Sequence, residues 1–149
     1  MKFPRKVIVA VDISQDMEQI FSPLHKLDFM KDAESHLVHV SLKIVYNFAL
    51  DFGALAYPLS DDRALIEQAI VAKITGLQEK ILPYGHTGTV HVKCLFGESP
   101  AETFCNYAKE NHADLLVLAP RKSKPIFDSS FGKYVNRHAN SSIFLLAPH

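Results

Sequence analysis

A chain of 149 residues can bury roughly 70% of its unfolded surface around one core, so a single domain over residues 1–149 is expected. Apolar residues at 48% and charged residues at 21% are ordinary globular values, which argues against long disorder, fibrous repeats and membrane spans. Basic and acidic side chains balance at 16 each, so no global field would hold the chain on nucleic acid or an anionic membrane, and any anion site must be local.

Apolar runs of strand length alternate with segments of helical period, the mark of crossover units on a parallel sheet. Met1 to Lys6 leads into the first run with no signal-peptide length or cleavage site, so a cytoplasmic protein is expected. That run, Val7-Ile8-Val9-Ala10-Val11, is almost wholly apolar and β-branched, as a strand buried on both faces requires, and Asp12 ends it. Met17, Ile20, Phe21, Leu24 and Leu27 follow at spacings of three or four, which places them on one helical face. Pro23 either kinks that helix or marks its true first turn, leaving residues 13–21 as an irregular connection. A second strand runs from Ser35 to Val40, with Ile44 and Val45 as an extension, and residues 46–59 read as a loop. In that loop Tyr46, Phe48, Phe52 and Tyr57 are expected to serve core or dimer packing rather than a base-stacking platform.

Ser60-Asp61-Asp62 supplies a cap and two carboxylates for a helix that carries Leu65, Ile66, Ala69, Ile70, Ile74, Leu77 and Ile81 inward until Pro83. A third strand covers Thr89 to Phe96. Ser99-Pro100-Ala101-Glu102 is a capping box opening a helix to about His112, and Asp114 to Ala119 forms a fourth strand. A basic loop, a short helix near Gly132 to Ala139 and a fifth strand from Ser142 to Ala147 complete the chain. Cys94 and Cys105 lack any Cys-x-x-Cys spacing and read as reduced packing residues.

Four strings, Lys6-Val7-Ile8-Val9-Ala10-Val11-Asp12, Leu37-Val38-His39-Val40, Gly97-Glu98-Ser99-Pro100-Ala101 and Ala113-Asp114-Leu115-Leu116-Val117, resemble the universal stress protein family in order and spacing. The resemblance implies a Rossmann-like, doubly wound α/β fold, a five-stranded parallel sheet of order 3-2-1-4-5 with helices on both faces, and a homodimer formed through the last strand. Independently of the family, Ile143, Phe144, Leu145 and Leu146 would leave an apolar edge exposed in a monomer, and a second copy would cover it.

Ligands of open α/β sheets settle outside the carboxyl ends of the strands where the order reverses, here strands one and four. Val11 and Asp12 therefore face the loop from Ala119 to Lys133. By resemblance, Asp12 borders a nucleotide and the Val40 backbone meets the adenine edge; by its chemistry alone, Asp12 equally reads as a cap for the following turn. Family members that hold ATP are similar in a loop of glycine, two residues, glycine, nine residues, glycine, then serine or threonine. The corresponding positions here are Ala119, Lys122, Gly132 and Lys133, so a single glycine survives and lysine replaces the hydroxyl residue. Ala119 and Lys122 carry a Cβ and Pro120 has no amide hydrogen, so the backbone cradle for phosphate is weakened. Arg121, Lys122, Lys124 and Lys133 outnumber Asp128 by three charges, which leaves two readings open, a solvated basic surface or a local anion site beside the start of the last helix.

No metal-binding spacing is apparent among the eight histidines, His36 and His39 fall on opposite faces of their strand, and no nucleophile elbow frames Ser129 or Ser130. No catalytic residue and no metal ligand is expected. The leading expectation is a non-enzymatic, homodimeric stress-response protein with weak or lost ATP binding, acting through an unidentified protein partner or weak anion sensing. The alternative is a switch that binds ATP with Mg²⁺ through lysine contacts, and the last is an α-hydrolase-like enzyme acting on nucleotide phosphates.

Overall fold

The computed structural model describes residues 4–42, 59–119 and 130–146, with the side chains of 42 and 59–62 excepted. The strands are β1 (Lys6–Ala10), β2 (Glu34–Leu42), β3 (Val90–Gly97), β4 (Leu115–Leu118) and β5 (Ser142–Leu145). The helices are α1 (Met17–Phe21), α2 (Leu59–Ile81), α3 (Pro100–Glu110) and α4 (Ser130–His138), with two 3-10 turns at Ser22–Lys26 and Asp28–Met30. All strand pairings are parallel, and the order is β3-β2-β1-β4-β5, as the family resemblance implies.

Alternation along each strand sends successive side chains to opposite faces and so builds two cores. Val7, Val9, Leu37 and Val117 join Met17, Phe21, Leu24, Ile70, Ile74 and Ile81 beneath α1 and α2. Ile8, Val38, Leu116 and Leu118 join Ala101, Phe104, Ala108 and Val135 beneath α3 and α4. Val7, Ile8 and Val9 are fully buried, which is why β1 reads as an unbroken apolar run. Each such side chain contributes about 1.5–3 kcal/mol on leaving water.

Pro23 divides the first connection. Asp16 caps α1 by accepting from the Gln19 amide at 3.2 Å, the α-helix stops at Phe21, and Pro23 lies in the first turn of the following 3-10 segment. Proline has no amide hydrogen for an α-helical ladder, yet Phe21 and Leu24 on either side of it reach the same core. In α2 the inward face is narrower than the sequence pattern suggests. Ile70, Ile74 and Ile81 are buried and Ile66 and Leu77 half-buried, whereas Ala69 is exposed and Leu65 is 64% exposed. Leu65 precedes Ile66 by one residue, about 100° of helix rotation, and so falls off the stripe. Ser60 is inside α2, one residue past its first, rather than its cap. Ser99, by contrast, caps α3 as expected, accepting from the Glu102 amide at 3.4 Å with Pro100 in the first turn.

Between α2 and β3 the chain turns tightly against the start of β2. Gly85 adopts φ 70°, open to glycine without strain, and Gly88 lies so near the Ala33 carbonyl that an added Cβ would stand 2.0 Å from its oxygen. Thr87 N donates to the Lys31 carbonyl at 3.0 Å and Ser35 N to the Thr89 carbonyl at 2.8 Å, which fixes the register in which His36 pairs with His91. Among the described residues no helix is long and apolar enough to cross a membrane.

Candidate functional site

The strand order reverses between β1 and β4, whose register pairs Val7 with Leu115 and Val9 with Val117. Continued two residues, the same offset sets Val11 opposite Ala119 at the carboxyl ends of the strands. Val11 is buried, and its amide donates to the Val38 carbonyl at 2.8 Å, so the first residue beyond β1 is still fastened to β2. Ala119 is half-buried and packs on the core beneath α1 and α2.

Asp12 serves its own turn. Its Oδ1 accepts from the Ser14 amide at 3.0 Å and the Ser14 hydroxyl at 2.6 Å, and its carbonyl accepts from the Gln15 amide at 3.0 Å. Such side-chain acceptance satisfies the amides that follow a strand end. Two residues that sequence reasoning did not select also reach this end. His39 Nδ1 lies 3.1 Å from the Val11 carbonyl and 3.5 Å from the Ile13 amide, donating to the first or accepting from the second according to tautomer. Lys73, on α2, donates to the Ile13 carbonyl at 3.2 Å. The β1–β2 register pairs Ala10 with Val38, so His39 is level with Val11; register was the signal that would have found it.

Val40 is half-buried near the carboxyl end of β2, on the α3 and α4 side. Gly132 is buried in α4 and Lys133 is exposed on it. Phe131, beside them, packs its ring 5.5 Å from that of Phe104, which seats the start of α4 against α3. Arg121 and Lys122, with the rest of residues 120–129, lie outside the described residues, as does the 43–58 segment with Tyr46, Phe48, Phe52 and Tyr57. The structure therefore brings Val11, Asp12 and Ala119 to one end of the sheet and places Val40 on the neighbouring strand at that same end.

The expected apolar edge differs in one respect. β5 is the last strand of the sheet, but Leu146 is buried, Phe144 packs 5.4 Å from Phe29, and Ile143 and Leu145 lie half-buried on the opposite face. These side chains are turned into the chain's own two cores, so the open feature of this edge is its backbone, not a row of exposed apolar groups.

At the amino end of the sheet stands a carboxylate–histidine cluster that no linear spacing reveals. Glu34 and His36 share a face of β2, and register puts Lys6 of β1 beside Glu34 and His91 of β3 beside His36. Glu34 Oε2 lies 3.2 Å from His36 Nε2 and 3.4 Å from Lys6 Nζ, and Glu34 Oε1 lies 3.5 Å from His91 Nε2. His36 Nδ1 is 2.6 Å from the Tyr107 hydroxyl on α3. The hydrogen bond to His36, with Lys6 adding to it, holds the Glu34 carboxyl below its ordinary value. Burial pushes the His36 imidazole down, against the opposing pull of its bond to Glu34. Burial likewise raises the Tyr107 hydroxyl, and the nearby Glu34 charge adds to that. The thiols of Cys94 and Cys105 are buried and free, and burial pushes Cys94 up to about 11.

An open parallel sheet wrapped on both faces, with its order reversing beside an Asp-bearing turn, defines a doubly wound α/β protein of the kind that takes ligands at its strand ends. Within that class, the chain belongs to the universal stress protein family, whose model matches residues 4–146. No curated protein matches it by sequence. Among solved structures, the hypothetical protein MJ0577 is similar at a TM-score of 0.71 and 14% identity, covering 98% of this chain and 96% of that one. A universal stress protein in complex with cAMP is similar at 0.62 and 14%, with 98% of each chain covered. A universal stress family protein from Arabidopsis thaliana with AMP bound is similar at 0.59 and 15%, covering 98% of this chain and 93% of its own.

Proposed function

We propose that this universal stress protein is a non-enzymatic, homodimeric regulatory domain of the cytoplasm whose hold on ATP is weakened or lost. The observation that carries the reading is the carboxyl end of β4, where half-buried Ala119 stands at the position of the first glycine in the family's ATP loop. Alanine there lacks the positive φ and the bare backbone by which a glycine lets main-chain amides approach a phosphate oxygen. Asp12 supports the same reading, because its Oδ1 is bonded to Ser14 in its own turn. No catalytic constellation is needed for a protein that signals through an unidentified partner, and a fold alone licenses no reaction.

A second reading has its own support. Two structural neighbours carry AMP and cAMP, which present one phosphate rather than three. A crevice with a weak triphosphate cradle is compatible with such ligands, with Val40 backbone at the base edge and Lys133 near the phosphate. Titration calorimetry with ATP, AMP and cAMP, each with and without Mg²⁺, separates the two. The regulatory reading expects no saturable heat at millimolar ATP; micromolar ATP binding abolished by both Lys122→Ala and Lys133→Ala refutes it and establishes the switch. Micromolar binding of AMP or cAMP alone selects the second reading.

The dimer rests on β5, whose outer backbone edge has no strand beside it among the described residues. Pairing that edge with a second copy satisfies its amides and carbonyls. Light scattering at micromolar concentration is expected to give twice the chain mass, and a monomer would overturn this part of the proposal.

A further inference from the structure

We propose that Glu34, His36 and His91 form a binding site for a first-row divalent transition-metal ion, best fitted by zinc, at the amino end of the sheet. One ligand atom from each of the three residues lies within 4.8 Å of the other two. Two atoms bound about 2.1 Å from a tetrahedral zinc are about 3.4 Å apart. Glu34 Oε2 already stands 3.2 Å from His36 Nε2 and Glu34 Oε1 3.5 Å from His91 Nε2, so each imidazole is at ligand spacing from one oxygen of the same carboxylate.

Ligand type and support point the same way. Two imidazoles and one carboxylate suit zinc, cobalt or nickel, whereas magnesium and calcium prefer all-oxygen shells. A ligating histidine ordinarily uses one ring nitrogen for the metal and fixes the other with an outer partner. His36 has that arrangement, with Nε2 facing Glu34 and Nδ1 2.6 Å from the Tyr107 hydroxyl. His36 itself is buried at 5% exposure, whereas the side chains of Glu34 and His91 are 36% and 40% exposed. An ion can thus enter from solvent onto a wall that is already positioned, with water completing its shell. Lys6, 3.4 Å from Glu34, is the one cation found beside the cluster among the described contacts, and it opposes the incoming charge. The site is distinct from the strand-end crevice, because Glu34 begins β2 while Val40 lies near the strand's other end. Occupation would clip β2 to β3 where their pairing starts.

The test uses the full chain stripped with chelator, then titrated with Zn²⁺ alone in calorimetry and with Co²⁺ alone in visible absorption. One ion per chain is expected, with a cobalt d–d band of tetrahedral intensity. His91→Ala and Glu34→Gln change half-exposed groups, and each is expected to weaken zinc binding more than about tenfold while circular dichroism stays unchanged. Tyr107→Phe is expected to weaken it less than either. His112→Ala, a substitution at an exposed histidine after α3, is expected to leave it unaltered. Binding that survives both His91→Ala and Glu34→Gln, binding matched by Mg²⁺, or no saturable uptake at about 1 mM Zn²⁺ would each overturn the proposal.

Discussion

Replacing Gly88 by alanine introduces a methyl carbon 2.0 Å from the Ala33 carbonyl oxygen, 2.6 Å from its carbon and 2.9 Å from the Asp32 oxygen. Those atoms are backbone, so no side chain can swing aside, and the two segments must part by about 1 Å or more to restore ordinary contact. They are joined by Thr87 N to the Lys31 carbonyl at 3.0 Å, Ser35 N to the Thr89 carbonyl at 2.8 Å and Thr87 Oγ1 to Asp32 at 2.6 Å. Losing two or three such bonds, at about 0.5–1.5 kcal/mol each, puts the expected loss at about 1–4.5 kcal/mol. For a chain of this size that lowers the melting temperature by about 2–18 °C. Gly76→Ala is the matched control. Gly76 lies within α2 with nothing near its missing Cβ, so alanine there is expected to add about 0.5–1 kcal/mol through backbone entropy. Urea unfolding followed by circular dichroism measures both. Equal effects of the same sign, or a Gly88→Ala loss below about 1 kcal/mol, would refute the claim that close approach of β2 and the turn before β3 sets this register.

Asp114→Ala removes the carboxylate that accepts from the Arg5 amide at 3.0 Å and the Lys6 amide at 2.9 Å; a loss of about 1–2 kcal/mol and faster hydrogen exchange at those two amides are expected. Phe104→Ala empties a fully buried site and removes the ring against Phe131, so urea unfolding should show a loss of about 3–5 kcal/mol. Cys94, with its thiol pushed up to about 11, should resist alkylation at pH 8 in the folded chain and react once unfolded. Because its folded value exceeds the unfolded one, its contribution to stability is complete below about pH 9 and is lost as pH rises toward 11, a difference that Cys94→Ala should remove from the alkaline limb of a stability profile.

The strands were legible because burial on both faces leaves continuous apolar runs, as in Val7-Ile8-Val9, and Ser99-Pro100 announced α3 through amide chemistry confined to neighbouring residues. Leu65 and Ala69 misled because apolar character marks residues that can be buried, while the width of the stripe is set by what the helix packs against. Asp12 was readable as a turn former, since its partner Ser14 is two residues away. The Glu34, His36 and His91 cluster was not, because it depends on the β2–β3 register across 55 residues of chain from His36 to His91, and no spacing rule holds that information. His39 at the Val11 carbonyl was hidden for the same reason.

The sheet divides the interior into two compartments that share only the strands between them. A change of volume beneath α3 and α4, such as at Phe104, can be compensated by Val135 or Ala108 without any adjustment of Phe21 or Ile74 on the far side. Each compartment is thus free to drift in composition at its own pace, provided that the alternation along β1 is kept.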